Sequence, residues 1–371
     1  MSHDDPERLA RAALTYLAEP ADSALSKLVK SAGAIGAVKV IESGHDTTTR
    51  WRQRLSEIPG PADLEQFARD GIRLICPGDP EWPGRLEDLG DEAPYALWLR
   101  GNGDLRFGCL RSVAVVGSRA ATAYGSYMAT ELASSLAARG WTIVSGGAYG
   151  IDAAAHRGAL AASGKTVAVL ACGVDRPYPA AHTDLMNAIC ANGVVASEWP
   201  PGRNATRLRF LKRNRVMAAL TTGTLVVEAG SRSGALNTGR HARDLHRPLM
   251  AVPGPVTSEL SAGCHMMIRD WNATLITSAT EAAEFLNPVG GSEKATPVLP
   301  WDELDPDAKA VLDALPVRRG ISSQEIAKRA GLDPETTFGC LGALAAGGFA
   351  QRCPQGWRVR RGIERGRAVF Q

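Results

Sequence analysis

Between residues 113 and 252, short apolar runs alternate with stretches of helical length, and few folds accept that alternation. The runs are Val113–Val116, Trp141–Val144, Thr166–Leu170, Val194–Ala196, Thr224–Val227 and Leu249–Val252. Ala-rich or amphipathic segments separate them: Ala123–Ala138, Asp152–Ala162, His182–Ala191 and Gly234–Leu245. Near-continuous apolar strands alternating with helices imply a parallel sheet covered on both faces, an α/β architecture. In such sheets a ligand lies outside the carboxyl ends of the strands, where the strand order reverses.

The flanks read differently. Residues 1–70 carry apolar positions at helical spacing (Leu9, Ala12, Ala13, Leu17, then Leu25, Leu28, Val29) up to the Ile58-Pro59-Gly60-Pro61 breaker. Tyr95–Leu99 reads as a strand. Pro288, Gly290, Gly291, Ser292 and Pro297 mark a linker over 288–306. Beyond it, Ser322 and Glu325 form a capping box, and Asp333-Pro334 opens a further helix that Gly347-Gly348 ends. Two short runs around Pro354-Gln355-Gly356 complete three helices and a hairpin, the order of a winged helix. The expected divisions are a helical domain at 1–70, of the SAM or helix-hairpin-helix type, and a Rossmann-like domain at 71–287. The linker and a winged-helix domain at 307–371 follow.

A net charge of +3 over 371 residues makes the whole chain no polycation, so any nucleic-acid site must come from local clustering. The acidic N-terminus lacks a signal-peptide layout, no apolar run is long enough to span a bilayer, and seven scattered cysteines form no C-x-x-C pair. The expectation is a cytoplasmic protein with unpaired thiols and no membrane insertion.

Several motifs fail on inspection. Gly164-Lys165-Thr166 leads into a strand, whereas a phosphate-binding P-loop follows one and opens a helix. No G-x-G-x-x-G follows the first strand, and Gly230-Ser231-Arg232-Ser233-Gly234 has arginine where a nucleophile elbow needs serine. Asp152 and His156 share a helix face without a third ligand or nucleophile, which favours capping and packing. No catalytic residue, metal or cofactor is assigned.

Anion-friendly loops remain. Val116-Gly117-Ser118-Arg119 leaves the first strand, with glycine for close backbone approach, a hydroxyl, and a planar guanidinium fork. Ser145-Gly146-Gly147-Ala148-Tyr149-Gly150 leaves the second and runs into a helix N-terminus. Such glycines serve tight turning as readily as anion contact. The charge distribution decides between them: residues 203–247 hold ten basic side chains (Arg203, Arg207, Arg209, Lys212, Arg213, Arg215, Arg232, Arg240, Arg243, Arg247) against Glu228 and Asp244. An arginine-rich groove with Phe210 inside it suits sequence-tolerant single-strand binding. The third C-terminal helix, Pro334 to Ala346, contains no lysine or arginine, which argues against base readout in a major groove.

The residues Val115–Arg119, Ser145–Asp152 with Ala155-His156, Tyr178-Pro179, Ser197-Glu198, Arg213-Asn214-Arg215, Val227–Ala229, Ser233–Leu236 and Val252–Gly254 resemble the DNA-processing protein A (Smf) family. The likeness covers roughly residues 75–285. It implies an extended Rossmann-like domain that binds and protects single-stranded DNA, forms a homodimer, and helps load the RecA recombinase, notably in natural transformation. Gly117, Ser118 and Arg119 match the family's Gly-Ser-Arg signature and Arg213-Asn214-Arg215 its Arg-Asn-Arg segment. The expected DNA-binding set is Gly117, Ser118, Arg119, Gly146, Gly147, Tyr149, Phe210, Lys212, Arg213, Asn214, Arg215 and Arg240. The competing reading is a Rossmann-like nucleotide N-glycosidase, in which Glu228 of Gly223–Glu228 acts at the glycosidic bond. A winged-helix transcription regulator is a third.

Overall fold

A computed structural model describes residues 5–44, 48–287 and 304–360. The chain forms two compact units, one ending at Pro288 and one beginning at Val289.

In the first unit, four N-terminal helices, α1 (Pro6–Leu17), α2 (Ser23–Ser43), α3 (Thr49–Arg52) and α4 (Pro61–Arg69), precede the sheet. Asp5 caps α1 through Glu7 N, and Asp22 caps α2 through Ala24 N and Leu25 N. They bury Leu14, Leu17, Leu25, Ala37, Ile41 and Trp51 together with Tyr95 from the sheet region. These helices therefore share one compact unit with the sheet.

The sheet has nine strands: β1 (Ile72–Ile75), β2 (Leu97–Arg100), β3 (Ser112–Val116), β4 (Thr142–Ser145), β5 (Thr166–Leu170), β6 (Val194–Ser197), β7 (Gly223–Val226), β8 (Leu249–Ala251) and β9 (Thr274–Leu275). Their order is β1-β2-β6-β5-β4-β3-β7-β8-β9. From β6 to β9 every pairing is parallel, while β1 and β2 extend the β6 edge antiparallel. This is a Rossmann-like sheet. The connecting helices are α5 (Leu105–Leu110), α6 (Ala123–Ala138), α7 (Ile151–Ala161), α8 (Thr183–Asn192), α9 (Arg207–Leu220), α10 (Ala235–Asp244), α11 (Ala262–Asp270) and α12 (Ala279–Leu286).

Because strand side chains alternate faces, β3 sends Val113 and Val115 to one side and Val116 to the other. The first pair packs with Ile143, α6, α7 and α12. Val116, Val144, Val167 and Val169 pack under α9, α10 and α11. Strands β4, β5 and β6 lie on one side of β3, and β7, β8 and β9 on the other. The order therefore reverses between β3 and β7, and that is where a crevice opens.

The second unit holds α13 (Pro306–Ala314), α14 (Ser323–Ala330), α15 (Pro334–Ala346) and a hairpin of β10 (Ala350–Cys353) and β11 (Gly356–Val359). Ser322 caps α14 through Glu325 N, and Asp333 caps α15 through Glu335 N and Thr336 N. Val311, Leu315, Ile326, Leu341, Leu344 and Phe349 form its core. Apart from its last three residues, the linker expected over 288–306 lies outside the described residues, as do Arg361, Arg365 and Arg367. All seven cysteines are free. Among the described residues, no helix is long and apolar enough to cross a membrane.

Candidate nucleic-acid interface

A cavity of about 1000 Å³ opens at the β3/β7 reversal. The loop after β3 supplies Gly117, Ser118 and Arg119, and the loop after β7 supplies Gly230 to Gly234. Helix α9 adds Arg207, Phe210, Arg213 and Asn214. Thr206 caps α9 by accepting from Arg209 N, which starts the helix so that Arg207 and Phe210 face this opening. Arg119, Arg207 and Arg232 are exposed and have no carboxylate within ion-pair distance among the described residues. The Arg119 guanidinium lies 4.3 Å from the Phe210 ring centroid. Cation–π contact holds the fork at the mouth without neutralising it.

The floor is ionic and buried. Arg213 is 4% exposed; its Nη1 donates to Val169 O, and its Nε donates to Asn214 Oδ1 at 3.2 Å. Burial lowers its pKa, opposed by the neighbouring Asp152. Burial also raises Asp152, opposed by Arg213. A Cβ on Gly146 would lie 2.5 Å from Arg213 Nη2, so the absence of a side chain at Gly146 makes room for this pair. Likewise a Cβ on Gly117 would meet Ile151 Cγ1 at 2.6 Å and Glu228 O at 2.7 Å. The side-chain space at both glycines is filled by the protein itself, but Gly117 lines the cleft and Gly146, contrary to expectation, does not. Gly147 packs against Leu170 and Tyr178 O and does not line the cleft.

The basic cluster divides in two. Arg215 is corrected most sharply: its guanidinium is 2% exposed and makes paired bonds to Glu198 at 2.5 and 2.7 Å, away from the cleft. Burial opposes its charge, and Glu198 together with Glu92 leaves its pKa raised. Lys212 Nζ donates to Pro20 O at 2.7 Å. Arg209 Nε donates to Glu19 Oε2 at 3.0 Å, and Arg203 pairs with Glu57. Arg243 sits 3.8 Å from Asp244, and Arg247 pairs with Asp88 at 2.5 Å. Arg240 is exposed on α10 outside the cleft lining. Tyr149 is 50% exposed, edge-on to His182 at 4.8 Å and outside that lining. Of the expected set, the structure thus brings Gly117, Ser118, Arg119, Phe210, Arg213 and Asn214 around one cleft. Sequence reasoning singled out Arg207 and Arg232 only as members of a charge run. What separates them from Arg203, Arg209, Arg215 and Arg247 is the absence of an acidic partner, and for those four the partner is remote in sequence.

His156 and Asp152 do not form a reactive pair. His156 is fully buried, with Nε2 2.8 Å from Gly146 O and Nδ1 2.7 Å from Thr166 Oγ1, and burial lowers its pKa to about 4. Neutral imidazole then carries its proton on Nε2 and donates it to Gly146 O. Glu228 is 2% exposed. One of its carboxylate oxygens accepts from Thr122 N at 3.0 Å and the other from Thr122 Oγ1 at 2.6 Å. Its main-chain oxygen accepts from Ser118 N at 2.7 Å. Glu228 fastens the start of α6 to the end of β7 and does not line the cleft.

Residues 73–287 match the family model described as DNA recombination-mediator protein A. The chain belongs to that family. It is 43% identical over 96% of its length to a putative DNA processing protein DprA of Mycobacterium tuberculosis, 95% of which is covered. The DNA processing protein DprA of Streptococcus pneumoniae is 41% identical over 56% of this chain and 72% of its own. The X-ray structure of that pneumococcal protein superposes with a TM-score of 0.64 at 31% identity, covering 76% of this chain and 98% of the other. DNA processing protein A from Helicobacter pylori, whose structure is described as revealing a single-stranded DNA binding mode, gives 0.52 at 27% identity over 58% and 95%.

Proposed function

We propose that the chain binds single-stranded DNA in the β3/β7 cleft and acts on it stoichiometrically, without catalysis. One observation carries this reading: Arg119, Arg207 and Arg232, all free of carboxylates, surround a crevice that also presents the Phe210 ring. Guanidinium forks suit phosphate oxygens, and an aromatic face suits any base, so the combination favours an unpaired polynucleotide of any sequence. Membership of a recombination-mediator family supports hand-over of the coated strand to a RecA-type recombinase, in recombination or in natural transformation, by a cytoplasmic homodimer. The binding set is Gly117, Ser118, Arg119, Phe210, Arg213 and Asn214, extended by Arg207 and Arg232. Arg213 contributes a buried positive floor, and Arg119, Arg207 and Arg232 make the direct contacts. The C-terminal unit is assigned as a winged helix with a protein-contact role, since α15 contains no lysine or arginine.

The test is a competition of single- against double-stranded oligonucleotides across a salt series, for the parent chain and for Arg119→Ala. The expected result is preference for the single strand, and a loss of about 1.5–3 kcal/mol in the variant, the scale of a hydrogen bond to a charged group. Unchanged affinity in Arg119→Ala overturns the site. Release of free base from nucleoside monophosphates would revive the glycosidase reading, which Glu228, already bound to Thr122, does not favour.

A further inference from the structure

Beyond the cleft lies a second aromatic surface. Tyr178, in the loop after β5, is 51% exposed and stands 5.6 Å from the Phe210 ring at 54°. Neither its hydroxyl nor that of Tyr149 makes a hydrogen bond within the described residues. The two tyrosines sit on loops fastened to one another. The Tyr178 carbonyl oxygen lies 3.2 Å from where a Gly147 Cβ would be, and His182 Nδ1 is 3.0 Å from Gly147 O. His182 in turn supports the Tyr149 ring at 4.8 Å. Arg119, Phe210, Tyr178 and then Tyr149 thus form a ledge running from the cleft mouth across the carboxyl ends of β4 and β5. Arg176 lies two residues before Tyr178, its side chain 56% exposed, paired with Asp175 at 3.7 Å and donating to Asn204 Oδ1 at 3.3 Å.

We propose that this ledge is a second stacking subsite, with Tyr178 as its principal residue, for the bases that follow the segment held in the cleft. The proposal rests on the single-strand reading above. Half-exposed tyrosine rings offer π-faces to any base, while nearby cations keep the strand's phosphates close. The occupant is more of the same strand, because the Tyr178 ring is continuous with Phe210 and the surface is rimmed by arginine. Arg119 can leave Phe210 for a phosphate, freeing that ring to stack in line with Tyr178.

The experiment measures affinity for oligothymidylates from about 4 to about 20 nucleotides, bracketing the span one small fold covers, with the full chain. Tyr178→Ala is expected to weaken binding of the long oligonucleotides by roughly fivefold or more, the low end of one lost base stack. It should spare the shortest ones and leave the salt slope unchanged. Tyr178→Phe should behave as the parent, and thermal melting should show both variants folded. An equal loss at every length, or none at any length, overturns the subsite. Arg119→Ala run beside them separates the two readings: if it loses affinity while Tyr178→Ala does not, only the ledge fails. If neither loses affinity, the cleft fails with it.

Discussion

At the scale of single residues, the cleft depends on atoms that are absent. Gly146 leaves room for Arg213 and Asp152, and a methyl group there would press on both. Gly146→Ala should cost about 1–3 kcal/mol, the usual range for overpacking, seen as a lower urea midpoint. His156 gives a pH signature. Its folded value of about 4 lies below the ordinary 6.5, so between those values the unfolded chain holds a proton that the folded chain does not. Stability from this residue is therefore complete above pH 6.5 and is lost on acidification toward 4, up to about 3 kcal/mol. Asp152, raised by burial, works with the opposite sign, since its contribution is present at low pH and fades as pH rises. Melting temperature measured from pH 7 to pH 4.5 should fall more steeply for the parent than for His156→Gln. Little of this was legible in the sequence. Gly117 and Gly146 advertise close approach, but what approaches comes from distant segments, α7, β7 and α9, which no local pattern reveals.

At the scale of elements, the strands and their alternating helices were readable within a residue or two, because β3 to β8 are apolar runs and α6, α7, α8 and α10 fill the intervals. Helix α9 was not. Its first six residues, Arg207–Lys212, are cationic and exposed or half-buried, its last eight, Arg213–Leu220, are buried, and no single apolar stripe runs along it. Read as a charge run, it seemed to offer every arginine to a ligand. As a helix it divides them: Arg207 faces solvent at the cleft, Arg213 points down to β5, and Arg215 turns to Glu198. Breaking that last pair leaves the buried cation with only the half-exposed Glu92, 3.8 Å away, so Glu198→Ala should destabilise the fold by about 3 kcal/mol by chemical denaturation. Since Arg215 lies off the cleft, oligonucleotide affinity under folding conditions should stay near the parent's. A large loss of affinity in the folded variant would place Arg215 back among the DNA contacts. Strand β9 carried too few residues to stand out from the loops around it, and in β1 Arg73 breaks the apolar run.

At the scale of the molecule, the first 70 residues matter to the cleft in a way that their helical pattern did not announce. Glu19 and Glu57 reach Arg209 and Arg203, and Pro20 O takes Lys212, so the N-terminal helices bind the same chain segment that feeds the cleft. They behave as counter-ions tethered to the polypeptide. On the proposed function, each cation without a carboxylate partner neutralises one phosphate and displaces the salt ion condensed on it, which at the cleft leaves Arg119, Arg207 and Arg232, with Arg240 at most a fourth. The logarithmic salt dependence of single-strand affinity should then have a slope of about −2 to −3, where ten open cations would give about −7. Replacing Glu19 and Glu57 by glutamine would steepen it, turning a discriminating groove into a general polyanion trap.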